Sequence, residues 1–145
     1  MNPPPLFAYG TLRDAEYQRE LFGRDFPMRR ARVTGYVVVS TPGGYLAAAA
    51  RAGAHIDGAL VELDAAAYAV ADAWEDLTVY ERIQTEARGD DGPSQPCFLY
   101  IVPGARGEPV ADGRLADRAR AAVIADIRRF RASAEPNDRD PTDRL

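Results

Sequence analysis

Residues 55–63 alternate Ile56, Gly58 and Leu60 against Asp57, Ala59 and Val61, so both faces of the segment are largely apolar. Such a strand cannot lie with one face in water and belongs to a sheet that is closed on itself or covered. Other strand signals surround it. Residues 6–9 are a short apolar run. Residues 30–39 space Ala31, Val33, Val37 and Val39 by two and its multiples, the turn residues Thr41, Pro42, Gly43 and Gly44 follow, and residues 45–50 read as a hairpin partner. Residues 81–88 set Ile83, Thr85 and Ala87 against Arg82, Gln84 and Glu86 before a turn at 89–93, and residues 97–102 make a last strand.

Helical periodicity appears in three places. Asp14 is placed to cap a short helix in which Tyr17 and Leu21 share a face and Gly23 is the stop. Asp64 caps a second, with an apolar stripe expected along Ala67, Val70, Trp74 and Leu77 and with Tyr68, Ala71 and Glu75 on its flank. Asp112 is expected to start a long helix through about Arg131, its core stripe formed by Leu115, Ala119, Val123, Ile127 and Phe130 and its arginine-rich face solvated. The pattern predicts an α+β fold: a small mixed β-barrel or curled sheet of five to six strands, with two short helices and a long C-terminal helix packed outside. Residues 1–133 read as a single domain and 134–145 as a mobile tail without periodic apolar positions.

Composition removes several chemistries. All 18 basic residues are arginine, so no lysine is available for a Schiff base or a phosphate-binding P-loop. There is one histidine, His55, in a small-residue stretch, and one cysteine, Cys97, in an apolar run where it reads as a small buried side chain. With so few soft ligands, neither a metal nor another cofactor is expected. A net charge of -4 argues against broad capture of nucleic acid. No apolar stretch nears the ~20 residues of a membrane span, and residues 1–5 lack the regions of a signal peptide, so a cytoplasmic protein with no membrane partner is expected.

Candidate chemistry concentrates in two segments. The first is Phe7-Ala8-Tyr9-Gly10-Thr11-Leu12-Arg13, a strand that meets a glycine and then a helix start. Unpaired N–H groups there can hold an anion, although an ordinary strand-to-helix turn also contains glycine. The second is Trp74-Glu75-Asp76-Leu77-Thr78-Val79-Tyr80-Glu81-Arg82, a helix end with an acid followed by a strand that carries Tyr80 and Arg82 on one face. An acid at a helix C-terminus opposes the dipole, and an ordinary surface position would sooner hold a basic residue.

Together these segments resemble the gamma-glutamylcyclotransferase-like family. The shared elements are Tyr9-Gly10-Thr11-Leu12, the strand Gly58-Ala59-Leu60-Val61-Glu62-Leu63, the acid in Asp72-Ala73-Trp74-Glu75, the pair Tyr80 and Arg82, and the closing Phe98-Leu99-Tyr100. They run in order over roughly residues 6–102. The chain departs from the family's pattern at Leu46, where a proline is usual, at Asp76 in place of glycine, and after Leu60, where no tyrosine follows. The resemblance implies conversion of a gamma-glutamyl amine or amino acid to 5-oxoproline plus free amine, through attack of the substrate's own alpha-amine on its gamma-carbonyl. Glu75 would be the general acid and base. The N–H groups of Gly10, Thr11 and Leu12 would hold the alpha-carboxylate or the oxyanion, and Tyr9, Arg82 and Tyr100 would line the substrate site. For Tyr9 and Tyr100 simple core packing stays open, and Arg82 either holds Glu75 or Asp76 in place or is an ordinary solvated strand arginine. The implied partner is a small gamma-glutamyl molecule, and a monomer or weak homodimer fits. A catalytically silent binding module of the same fold is the alternative. In another reading the arginine-rich last helix contacts RNA or an acidic protein.

Overall fold

The computed structural model describes residues 3–40, 46–75, 79–90, 92–105, 109–110 and 120–143, with side chains through residue 133. The elements are β1 (Leu6–Ala8), a 3-10 turn (Thr11–Arg13), α1 (Ala15–Phe22), β2 (Met28–Ser40), β3 (Leu46–Val61), α2 (Ala65–Glu75), β4 (Glu81–Gly89), β5 (Ser94–Ile101) and α3 (Arg120–Asp143). The strands close into a barrel in the order β1-β3-β2-β4-β5, and a parallel contact between Leu6 and Phe98 joins β1 to β5. This is the α+β barrel with helices outside that the sequence pattern predicts.

The two strands expected at 45–50 and 55–63 are one strand. β3 pairs with β2 on both sides of an irregularity, Thr34 facing His55 and Tyr36 facing Ala50, with residues 51–54 bulging between them. Gly35 at φ 88° and Gly53 at φ 83° supply the left-handed backbone that the bulge needs. Alternation therefore breaks in the sequence while pairing continues in the fold.

Side chains of the barrel divide by face. Phe7, Tyr9, Val33, Ile56, Leu60, Cys97 and Leu99 pack into one core cluster, whereas Leu6, Ala8, Val61 and Tyr100 join a second cluster with the helices. Gly58 is forced by proximity: a Cβ there would stand 2.4 Å from the Ala8 carbonyl oxygen and 2.9 Å from the Phe7 ring. Cys97 is fully buried, and burial pushes its thiol up to about 11.

The helix signals of Asp14 and Gly23 appear as read. Asp14 accepts from the N–H groups of Glu16 and Tyr17 at 2.9 and 3.2 Å, and Gly23 at φ 81° donates to the Arg19 carbonyl. α2 is rotated from the expected stripe. Ala67, Tyr68 and Ala71 are buried while Val70 and Trp74 are half-buried, so the line that leads to Glu75 is the inner face rather than its flank. The large Tyr68 ring drives this rotation by packing edge-to-face on Phe98 at 5.4 Å.

α3 runs to Asp143, past the end expected near Arg131. Its arginines are not simply solvated. Arg120 pairs with Asp14 and Glu16, Arg128 with Glu20, and Arg131 donates to the Leu21 carbonyl, tying α3 to α1. The turn expected at 41–44, Asp76, Leu77, Arg114, Arg118 and the expected helix start at Asp112 with Leu115 and Ala119 lie outside the described residues. No described helix is long and apolar enough to cross a membrane.

Candidate active site

β1 ends where the chain turns sharply, and Tyr9 at that end points into the barrel, 7% exposed. Its hydroxyl donates to the Tyr100 carbonyl at 2.7 Å and accepts from the Ala48 N–H at 3.1 Å. One side chain thereby ties the end of β1 to β5 and β3. The following turn begins its own hydrogen bonding with Arg13 N–H to the Gly10 carbonyl at 3.2 Å. The N–H groups of Gly10, Thr11 and Leu12 precede that first bond and are left over by the turn's ladder. Leu12 is buried as a side chain, so only its backbone can serve a ligand.

Gln18, which sequence reasoning missed, sets the base of this turn. It is fully buried, donates to the Leu12 carbonyl at 2.7 Å and accepts from the Phe26 N–H at 2.9 Å. Its place one turn into an amphipathic helix gave no sign of this. Only the fold brings residues 12 and 26 to the same side chain.

Asp72, one turn before Glu75 on α2, collects three donors. Arg82 forks onto its two oxygens at 2.9 and 3.1 Å, and the Tyr100 hydroxyl donates at 2.6 Å. The guanidinium also lies over the rings of Tyr68 and Phe98, 4.6 and 4.5 Å from their centroids. Arg82 thus holds Asp72, where the sequence suggested Glu75 or Asp76, because β4 and β5 pair Arg82 with Tyr100 and so present both to the same carboxylate.

Glu75 sits at the last residue of α2, half-exposed as a residue but with its carboxylate crowded by protein. Burial pushes its pKa from 4.5 up to about 7. Its charge is felt by Tyr9 and Tyr100, both held well above the ordinary tyrosine range, chiefly by burial. Each phenol has a single proton to donate. Tyr9 gives its proton to the Tyr100 carbonyl, Tyr100 to Asp72, and Tyr80 to the Leu46 carbonyl at 2.7 Å. Neither Tyr9 nor Tyr100 donates to Glu75, whose raised pKa has burial as its cause. A carboxyl group half-ionised near neutrality can both take and return a proton.

The expected site residues therefore fall into two sets. Tyr9, Tyr100 and Glu75 come together electrostatically, with Gly10, Thr11 and Leu12 following Tyr9 in the chain, while Arg82 meets the group through Asp72. His55 is exposed on the bulge, 3.6 Å from Asp57. Among the described residues no cluster of His, Cys, Asp and Glu is arranged to hold a metal.

The model of the family described as "Gamma-glutamyl cyclotransferase, AIG2-like" matches residues 6–119. A protein of Methanocaldococcus jannaschii, named as a gamma-glutamylcyclotransferase and, provisionally, an RNase, is 34% identical over 103 residues. The aligned stretch is 69% of this chain and 46% of that protein, so the chain spans about half the length of this relative. A solution structure from Arabidopsis thaliana superposes with a TM-score of 0.66 at 18% identity, covering 92% of both chains. A structure named gamma-glutamyl cyclotransferase superposes at 0.62 with 14% identity, over 86% of this chain and 85% of that one. At such identities the two structures speak for the fold alone.

Proposed function

The chain belongs to the gamma-glutamyl cyclotransferase, AIG2-like family, and on that footing we propose that it converts a gamma-glutamyl amine or amino acid to 5-oxoproline and the free amine. The reaction needs a base for the substrate's alpha-ammonium, a bent substrate, and donors for an oxyanion. Glu75 takes a proton from the ammonium. The freed nitrogen attacks the gamma-carbonyl carbon, and a tetrahedral intermediate forms with its negative oxygen toward backbone N–H groups. The intermediate collapses as the bond to the leaving nitrogen breaks and the proton held by Glu75 passes to that nitrogen; Glu75 then takes the second proton from the ring nitrogen and passes it to the departing amine, which leaves the neutral lactam and an ammonium product. No water is consumed.

The observation that carries this reading is a carboxyl group brought to about 7 at the end of α2, its charge felt by Tyr9, the residue before the glycine turn. An ordinary carboxylate near 4.5 would be a much weaker base toward an ammonium group. The N–H groups of Gly10, Thr11 and Leu12 are assigned to the alpha-carboxylate or the oxyanion. Tyr9, Tyr100 and Arg82 enter as walls whose polar atoms are already engaged with the protein. A nucleic-acid role draws less support, since Arg29, Arg30, Arg32, Arg120 and Arg128 each pair with a carboxylate.

Release of 5-oxoproline from a panel of gamma-glutamyl amino acids and amines tests the proposal, with Glu75→Gln as the comparison. Turnover by the native protein and a loss of at least about a hundredfold in kcat in the variant is expected. An active Glu75→Gln variant would remove Glu75 from the mechanism, and a native protein that leaves every substrate intact while binding one would favour the silent module.

A further inference from the structure

α3 touches both arms of the candidate site. At its start Arg120 bonds to Asp14 at 2.8 and 3.1 Å and to Glu16 at 2.7 Å, and its guanidinium lies 4.8 Å from the Tyr17 ring centroid. Asp14 caps α1 and directly follows the turn whose N–H groups are assigned to substrate. Ten residues further along, about 15 Å of helix rise, the Phe130 ring meets Trp74 edge-to-face at 5.4 Å. Trp74 is the neighbour of Glu75. Between the two contacts Val123 and Ile127 are buried in the outer core cluster, and Arg128 forks onto Glu20. The whole of α3 lies beyond the residues that the family model matches.

We propose that α3 is a clasp that sets the position of Glu75 relative to the glycine turn, with Phe130 as the positioning residue acting through Trp74. The inference rests on the cyclotransferase reading of the site. α2 ends at Glu75, and a helix end is held less firmly than its middle because its last carbonyls lack partners in the helix. Neighbours must therefore hold it. Tyr68 and Asp72 fix the preceding turn against β4 and β5, and Trp74 against Phe130 holds the last turn from the other side. A ring contact of this kind contributes directionally as well as by area. Proton transfer is sensitive to placement at the ångström level, so a loosened last turn lowers kcat more than it changes binding.

Trp74 is the sole tryptophan, which gives the clasp a readout independent of turnover. Phe130→Ala, Phe130→Leu and Phe130→Tyr are compared with the native protein by tryptophan emission, acrylamide quenching and 5-oxoproline kinetics. Phe130→Ala should shift emission to the red, increase quenching, and lower kcat about tenfold with KM within about twofold, whereas Phe130→Tyr should keep both near native. Phe130→Leu should lie between, and it decides the matter if the alanine variant does not fold. Native kcat in whichever of these two variants folds, or unchanged quenching, overturns the clasp. If the native protein releases no 5-oxoproline, the functional reading fails and the quenching alone decides whether Phe130 holds Trp74.

Discussion

Replacing Glu75 by glutamine should stabilise the protein above neutral pH while removing its proposed base. In the unfolded chain the carboxyl ionises near 4.5, and in the folded protein burial delays this to about 7. Below about pH 4.5 both states keep the proton and the group leaves stability untouched. As pH rises toward 7 the unfolded chain releases its proton while the folded protein retains it, so stability is progressively lost. Above 7 both forms are ionised and the loss is constant. The displacement corresponds to about 3 kcal/mol. Glutamine cannot titrate, so its variant escapes the loss. Urea unfolding of both proteins across this range gives the difference directly, and groups that titrate alike in both cancel from it. The advantage of Glu75→Gln should grow from a few tenths of a kcal/mol near pH 4.5 to about 3 kcal/mol by about pH 8. An advantage that does not change with pH would refute the claim that burial governs this carboxyl.

Two further outcomes follow from the packing. Gly58→Ala should cost about 2–4 kcal/mol in urea unfolding, since its Cβ would stand 2.4 Å from a backbone oxygen of β1; a cost below about 0.5 kcal/mol would mean that β1 is free to move away. Arg82→Met should cost about 1–3 kcal/mol, because Asp72 at 22% side-chain exposure keeps only Tyr100 as a donor. Arg82→Lys, which keeps charge but loses the fork, should recover less than half of that in thermal unfolding.

The sequence was most legible where one local rule dominates. Asp14 and Gly23 bracket α1 because capping is decided by the side chain at the position itself. The apolar faces of residues 55–63 pointed to a closed or covered sheet for the same reason. It was least legible where distant elements decide. The break between Ala50 and His55 looked like the end of a strand, and only pairing with β2 carries β3 across it. α2 turned toward Tyr68 because β5 offers Phe98 to its ring, a preference that a stripe of small residues does not contain. Glu75 stood out in the sequence through its misfit with the helix dipole and its family context. Asp72, the actual partner of Arg82, was visible only as part of the motif.

The hydrogen bonds that help close the barrel also commit the protons of the two phenols that feel the charge of Glu75. Tyr9 bridges β1, β3 and β5, Tyr80 ties the entry of β4 to the start of β3, and Tyr100 fastens β5 to α2 through Asp72. Tyr9 or Tyr100, had its proton been free, was a candidate donor to the carboxylate, and such a donor would have drawn its pKa back down. Because the protons of Tyr9 and Tyr100 are committed to the framework, burial acts on the acid without a bond from either phenol. Burial raises its pKa, and the hydrogen bonds of strand closure leave that rise standing. Freeing the Tyr9 hydroxyl from the Tyr100 carbonyl would act on the proposed base by releasing a donor.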